Sequence, residues 1–97
     1  MTIARHYVMH AAEGKAAELP SAFTALVGAL VGIPGFEGAD LLRDVDEPAR
    51  FIFIEKWSSV EAHKEGGSLL PKEAIAPLMA SLAGRPEGAY LTYLPVT

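Results

Sequence analysis

Cysteine is missing from all 97 residues, so disulfides, thiolate nucleophiles and zinc–cysteine centres are excluded. A basic surplus is missing too: 8 Lys and Arg stand against 12 Asp and Glu, a formal charge of -4. Such a chain repels phosphate backbones, and no run of basic side chains interleaved with aromatics offsets this. No nucleic-acid partner is expected. Long hydrophobic runs are also lacking. The longest mostly apolar stretch, Ala25 to Phe36, contains Gly28, Gly32, Pro34 and Gly35 and falls short of the ~20 residues needed to cross a bilayer. No membrane partner is expected. The first residues, Met1-Thr2-Ile3-Ala4-Arg5-His6, carry no apolar signal-peptide core, which makes the cytoplasm the expected compartment. Internal repeats and low-complexity segments are absent as well.

What the chain does hold is apolar: 51% of its residues are hydrophobic and its mean hydropathy is +0.24. A chain of this length makes one domain, residues 1–97. A domain so small buries only about 60–65% of the surface its unfolded chain exposes. Excess apolar surface on a short chain needs cover, and a partner subunit supplies it, so a homodimer is expected.

Ile3 to His10 is β-compatible and ends before the turn signal Glu13-Gly14-Lys15. Alternation puts Arg5, Tyr7 and Met9 on one face and Ala4, His6, Val8 and His10 on the other. From about Ala16 to Val31 the period becomes helical, with Leu19, Phe23, Leu26, Val27 and Leu30 forming a stripe. Pro20 fits if the helix starts near residue 17, and Gly32-Ile33-Pro34-Gly35 stops it. Phe36 to Asp44 reads as a second strand and Asp46-Glu47-Pro48 as a turn. Arg50 to Trp57 is the strongest strand: Phe51, Phe53, Glu55 and Trp57 share one face, Ile52 and Ile54 the other. Both faces are apolar and both need cover. Ser58 with Glu61 has capping-box spacing, predicting a short helix that ends at Gly66-Gly67. Pro71 to Leu82 predicts a second helical stretch, broken or bent at Pro77. Gly84 to Gly88 reads as a loop and Tyr90 to Leu94 as the last strand. The order β-α-β-β-α-β predicts an α+β, ferredoxin-like sandwich.

The middle of the chain carries an ordered series: Pro34-Gly35-Phe36, Leu41-Leu42-Arg43-Asp44, Asp46, Pro48, Arg50-Phe51, Glu55-x-Trp57 and Glu61-Ala62. This series resembles the antibiotic biosynthesis monooxygenase family of the dimeric α+β barrel superfamily. The resemblance implies a homodimer whose two sheets pack into a shared α/β barrel, each subunit holding a pocket between helices and sheet. It also implies oxidation of a small aromatic molecule, of anthrone or hydroquinone type, to a quinone by dioxygen with no metal or flavin cofactor. Other members of the wider group degrade haem or isomerise small phosphorylated sugars, so family membership alone does not fix the reaction.

Trp57 stands where the family places a pocket tryptophan. It would stack on a flat ligand and donate its indole N–H, or else anchor the core. His63, six residues on, occupies a place near which some quinone-forming relatives have tyrosine. Its near-neutral pKa suits proton abstraction, and the bland reading is an exposed helix histidine. His6 is the second candidate base, near where haem-degrading relatives carry asparagine. It reaches the pocket if its face turns to the helices, which is the expectation taken here, and is an interface histidine otherwise. Phe53, Phe23 and Tyr90 complete the expected substrate lining. His6 and His10 lie about 13 Å apart on a strand, too far to share a metal. Glu55, on the face of Trp57, is expected to pair with Arg43 or Arg50 across the hairpin. Relatives that degrade haem carry a ligating histidine about ten residues after the tryptophan. Gly66-Gly67 occupies that stretch here, which disfavours haem. A cofactor-free monooxygenase is therefore the first reading. A non-catalytic small-ligand or stress-response domain, or a small-metabolite isomerase needing convergent arginines among Arg5, Arg43 and Arg50, are the alternatives.

Overall fold

Alternation along Arg50–Trp57 sets the architecture. In the computed structural model, which describes residues 1–96, Phe51, Phe53, Glu55 and Trp57 are buried while Ile52, Ile54 and Lys56 are half-buried. In chain order the elements are β1 (Ile3–His10), α1 (Leu19–Leu30), β2 (Phe36–Arg43), β3 (Arg50–Trp57), α2 (Val60–Leu69), α3 (Lys72–Ala80) and β4 (Glu87–Thr92). The sheet runs β2-β3-β1-β4, antiparallel throughout. This is the expected α+β, ferredoxin-like sheet, its second crossover made by two helices in series.

The helices cover one face of the sheet. Leu19, Phe23, Leu26 and Leu30 form the buried stripe of α1, and with Leu78 of α3 they close over Phe51, Phe53 and Trp57. Pro20 sits in the first turn of α1, where its missing N–H has no partner to lose. Pro77 lies inside α3, which continues to Ala80. No helix among the described residues is long and apolar enough to cross a membrane.

Several boundaries differ from those read off the sequence, most clearly around α2 and β4. Ser59, rather than Ser58, caps α2: its hydroxyl accepts the Ala62 N–H at 3.0 Å. That helix then runs through Gly66 and Gly67 to Leu69. Gly66 is there for proximity, because a Cβ on it would lie 2.6 Å from Trp57 Cη2. The last strand begins at Glu87, since Glu87 and Gly88 pair with Val8 and Tyr7, and it ends at Thr92. Gly88 reads as loop in sequence, yet its bare Cα is what admits the Arg5 guanidinium: a Cβ would lie 2.5 Å from Nη2 and 2.8 Å from Cζ.

The register places Arg5 beside Glu55 and Tyr90, and Tyr7 beside Phe53 and Gly88, all on the helix side. On the opposite face, His6 pairs with Ile54, and Val8 with Ile52. Leu42 and Leu91 flank them, 50% and 46% exposed. No helix among the described residues covers that face, so β3 is apolar on both sides and shielded by its own chain on one.

Candidate active site

Between the helices and the sheet lies a cavity of about 300 Å³, at the lower end of the range for small-molecule sites. Tyr7 and Met9 of β1, and Phe53, Glu55 and Trp57 of β3, make its floor; Leu26, Leu30, His63, Ile75, Leu78 and Met79 from the helices close it. The lining is largely apolar, with its titratable groups gathered at one end: Tyr7, Glu55 and His63.

Those three are hydrogen-bonded or nearly so. His63 Nε2 lies 3.2 Å from the Tyr7 hydroxyl, and Nδ1 lies 2.7 Å from the Tyr90 hydroxyl. The imidazole thus bridges two phenols. The Trp57 indole N–H donates to Glu55 Oε1 at 2.9 Å, and Glu55 Oε1 stands 3.8 Å from His63 Nε2. Arg5 runs beneath, its guanidinium 4.9 Å from the Tyr7 ring centre and 4.3 Å from that of Tyr90. Its Nε is buried with no hydrogen-bond partner. The rings of Trp57 and Tyr90 meet His63 edge-on at 5.5 and 5.3 Å.

Electrostatics fix the charge states. Burial lowers the His63 pKa below its ordinary value, and the cations Arg5 and Lys64 lower it further. Burial raises the Glu55 pKa, against the pull of the Trp57 hydrogen bond and of Arg5. His63 and Glu55 are close enough for an ion pair, yet each shifts away from its charged form. Desolvation outweighs their attraction across 3.8 Å. His63 is a neutral imidazole near pH 7, able to take a proton. Burial also raises the Tyr7 phenol, with Arg5 opposing, which keeps Tyr7 protonated.

The sequence candidates fare unequally. Trp57, Phe53 and His63 all line the cavity. Trp57 is 1% exposed and its indole N–H is already engaged by Glu55, so it is a core anchor whose ring also forms cavity wall. Tyr90 is one step back, touching His63. His6 requires correction: it lies on the sheet face opposite Trp57, because one residue of displacement along a strand reverses the side chain. Phe23 also lies outside the cavity; it packs on Phe53 at 4.7 Å and borders a smaller cleft on the β2 side. Glu55 does not pair with Arg43 or Arg50. Arg43 reaches Ala16 O at 3.4 Å and the Phe51 ring, while Arg50 pairs with Asp44 at 3.2 Å. Tyr7 is a site residue that sequence reading did not assign, and Arg5 entered it only as a candidate arginine of the isomerase alternative. Their signal was present: in the ferredoxin-like order β1 neighbours β3, and matching the face of Tyr7 and Met9 to that of Phe53 and Phe51 brings Arg5 beside Glu55.

The family model for antibiotic biosynthesis monooxygenases matches residues 2–65. Solved structures share the whole fold. A Bordetella bronchiseptica protein of that family designation superposes with TM-score 0.85 at 15% identity, covering 97% of this chain and 98% of its own. SnoaB from Streptomyces nogalater, a cofactor-independent oxygenase, gives TM-score 0.84 at 21% identity, covering 98% and 95%. A Caulobacter crescentus protein of the same designation gives 0.80 at 26%, covering 97% and 91%. Among curated proteins none matches the sequence. With a family match over residues 2–65, this chain belongs to the antibiotic biosynthesis monooxygenase family.

Proposed function

We propose that this protein is a cofactor-independent monooxygenase that oxidises an anthrone- or hydroquinone-like aromatic to a quinone with dioxygen. The observation that carries this reading is the neutral, twice hydrogen-bonded His63 at the polar end of an otherwise apolar, ring-walled cavity. A flat aromatic would lie between Phe53 and the leucines, its acidic C–H or O–H toward His63. Removal of that proton leaves an electron-rich anion that gives electrons to dioxygen directly. For an anthrone, the CH₂ carbon gains one oxygen atom as C=O, and the other leaves as water with the two hydrogens. The protein's share is orientation, a base and exclusion of water. SnoaB, similar in fold, is described as a cofactor-independent oxygenase, which agrees with this scheme.

An isomerase of phosphorylated metabolites would need convergent cations, and Arg43 and Arg50 are turned to other partners. The test is oxygen uptake with a panel of anthrones and hydroquinones. The expected result is quinone formation with one O₂ consumed per anthrone, undiminished by chelators and without added flavin. No uptake with any member of the panel would remove the reading.

The second part of the proposal is a homodimer built on the uncovered sheet face. His6, Val8, Ile52 and Ile54, flanked by Leu42 and Leu91, offer apolar surface that a second copy would bury. Light scattering at micromolar concentration should give about twice the chain mass of 10.3 kDa. Ile54→Lys, which puts a charge at the centre of that face, should shift the particle toward monomer; a wild-type monomer would rule the dimer out.

A further inference from the structure

Tyr7 lines the cavity, whereas Tyr90 does not. His63 sits between them, bonded at 3.2 Å to one and 2.7 Å to the other. The row therefore has a direction: it begins at the cavity on central strand β1, passes through an imidazole, and ends on edge strand β4, where Tyr90 is partly exposed. Arg5 stacks against both phenol rings. Gly88 clears the space for its head group. The three groups are thus fixed relative to one another by the sheet itself.

We propose that Tyr7 is a catalytic residue of this site, receiving the substrate's proton while passing its own to His63, and that Tyr90 carries the charge out to the sheet edge. This inference rests on the oxygenase reading above and adds a residue to it. A neutral imidazole between two hydroxyls must accept from one and donate to the other. The active arrangement has the Tyr7 O–H donating to Nε2 and Nδ1–H donating to the Tyr90 oxygen. Tyr7, which lines the cavity, then has an oxygen lone pair with which to accept a proton. As the substrate C–H or O–H breaks, its proton joins the Tyr7 oxygen and its electron pair stays on the substrate. The Tyr7 proton moves to Nε2, the Nδ1 proton to Tyr90, and the Tyr90 proton to water. One proton has crossed from cavity to solvent and His63 is left as its Nε2–H tautomer, which the reverse hand-over of a proton to the reduced oxygen resets to Nδ1–H. Dioxygen then oxidises the substrate anion. Tyr7 stays protonated in the resting site because its ring is buried, as this hand-over requires.

The experiment compares wild type, Tyr7→Phe and Tyr90→Phe with a dihydroxyanthrone as substrate and with ¹⁵N NMR of His63. Tyr7→Phe keeps the ring on Arg5 and removes only the hydroxyl. It should lower kcat roughly tenfold or more while KM stays within about a factor of two. The wild-type spectrum should show an unprotonated Nε2 that moves in Tyr7→Phe, and a protonated Nδ1 that moves in Tyr90→Phe. Near-normal kcat in Tyr7→Phe overturns the relay and leaves the oxygenase reading standing. If wild type oxidises no anthrone or hydroquinone, the oxygenase reading fails and the NMR decides the relay alone. A proton resting on Nε2 in wild type, or an Nε2 signal indifferent to Tyr7→Phe, overturns it whatever the turnover.

Discussion

Quinone formation should fall by a factor of roughly 10²–10⁴ when His63 is replaced by alanine, the range lost with a positioned general base. Binding of the aromatic should survive, because most of the cavity wall is hydrocarbon from β1, β3 and the helices. The pH profile gives a sharper check. Burial, Arg5 and Lys64 place the His63 pKa below its ordinary 6.5, so the neutral base persists into mildly acid solution. The rate should therefore be flat above 6.5 and fall only beneath it, as the pH passes through the lowered pKa. Stability carries the same sign for this group. The unfolded chain binds the proton more readily, so stability is lost as the pH falls from 6.5 toward the folded value. Glu55 acts oppositely: its raised pKa adds stability below the ordinary 4.5, lost as the pH climbs through the folded value. Unchanged turnover in His63→Ala would remove the histidine from the mechanism.

Trp57→Ala should cost about 3–5 kcal/mol, the range for truncating a buried large aromatic. The indole is 1% exposed, meets Phe36 edge-on at 5.3 Å and lies directly against Gly66. Its removal also strips the Glu55 carboxyl of its hydrogen-bond donor, adding about 1–3 kcal/mol for a buried group left unmatched. Against a total stability of about 5–15 kcal/mol for a domain, the variant is close to unfolding. The midpoint of denaturant unfolding should drop steeply, and Trp57→Phe, which restores most of the ring but not the N–H, should recover more than half of the loss. A midpoint barely moved in the alanine variant would return Trp57 to the part of a ligand platform alone.

Much of this was readable from the residues. Alternation along β1 and β3 needed no tertiary information, because a half-buried strand writes its two faces directly as odd and even positions. The stripe of α1 was equally plain. Glycine was where local reading failed. Gly66 and Gly88 look like breaks, but each stands where another side chain, Trp57 or Arg5, comes within reach of the backbone. Such a need arises between segments far apart in sequence and leaves no trace in its own neighbourhood. The cavity histidine, His63, was legible through its spacing from Trp57. The misplacement of His6 shows the limit: the two faces were separable, but deciding which one the helices cover required linking Phe53 and Trp57 across to Tyr7 and Met9. The partner of Glu55 was missed as well: its carboxyl is matched by the Trp57 indole N–H two residues on rather than by an arginine of the hairpin.

The missing side chain at position 88 also bears on how the outermost strand is kept from sliding. A rim strand has one neighbour to hold it, and a shift by a single residue would present Glu87 or Ala89 to the guanidinium that fills the gap above Gly88. Neither has room there, and the same shift would carry the Tyr90 hydroxyl away from His63 and onto the opposite face of the sheet. One absent methyl group thus keys the alignment of the whole rim, and the hydrogen bond between Tyr90 and His63 depends on an atom that is not there.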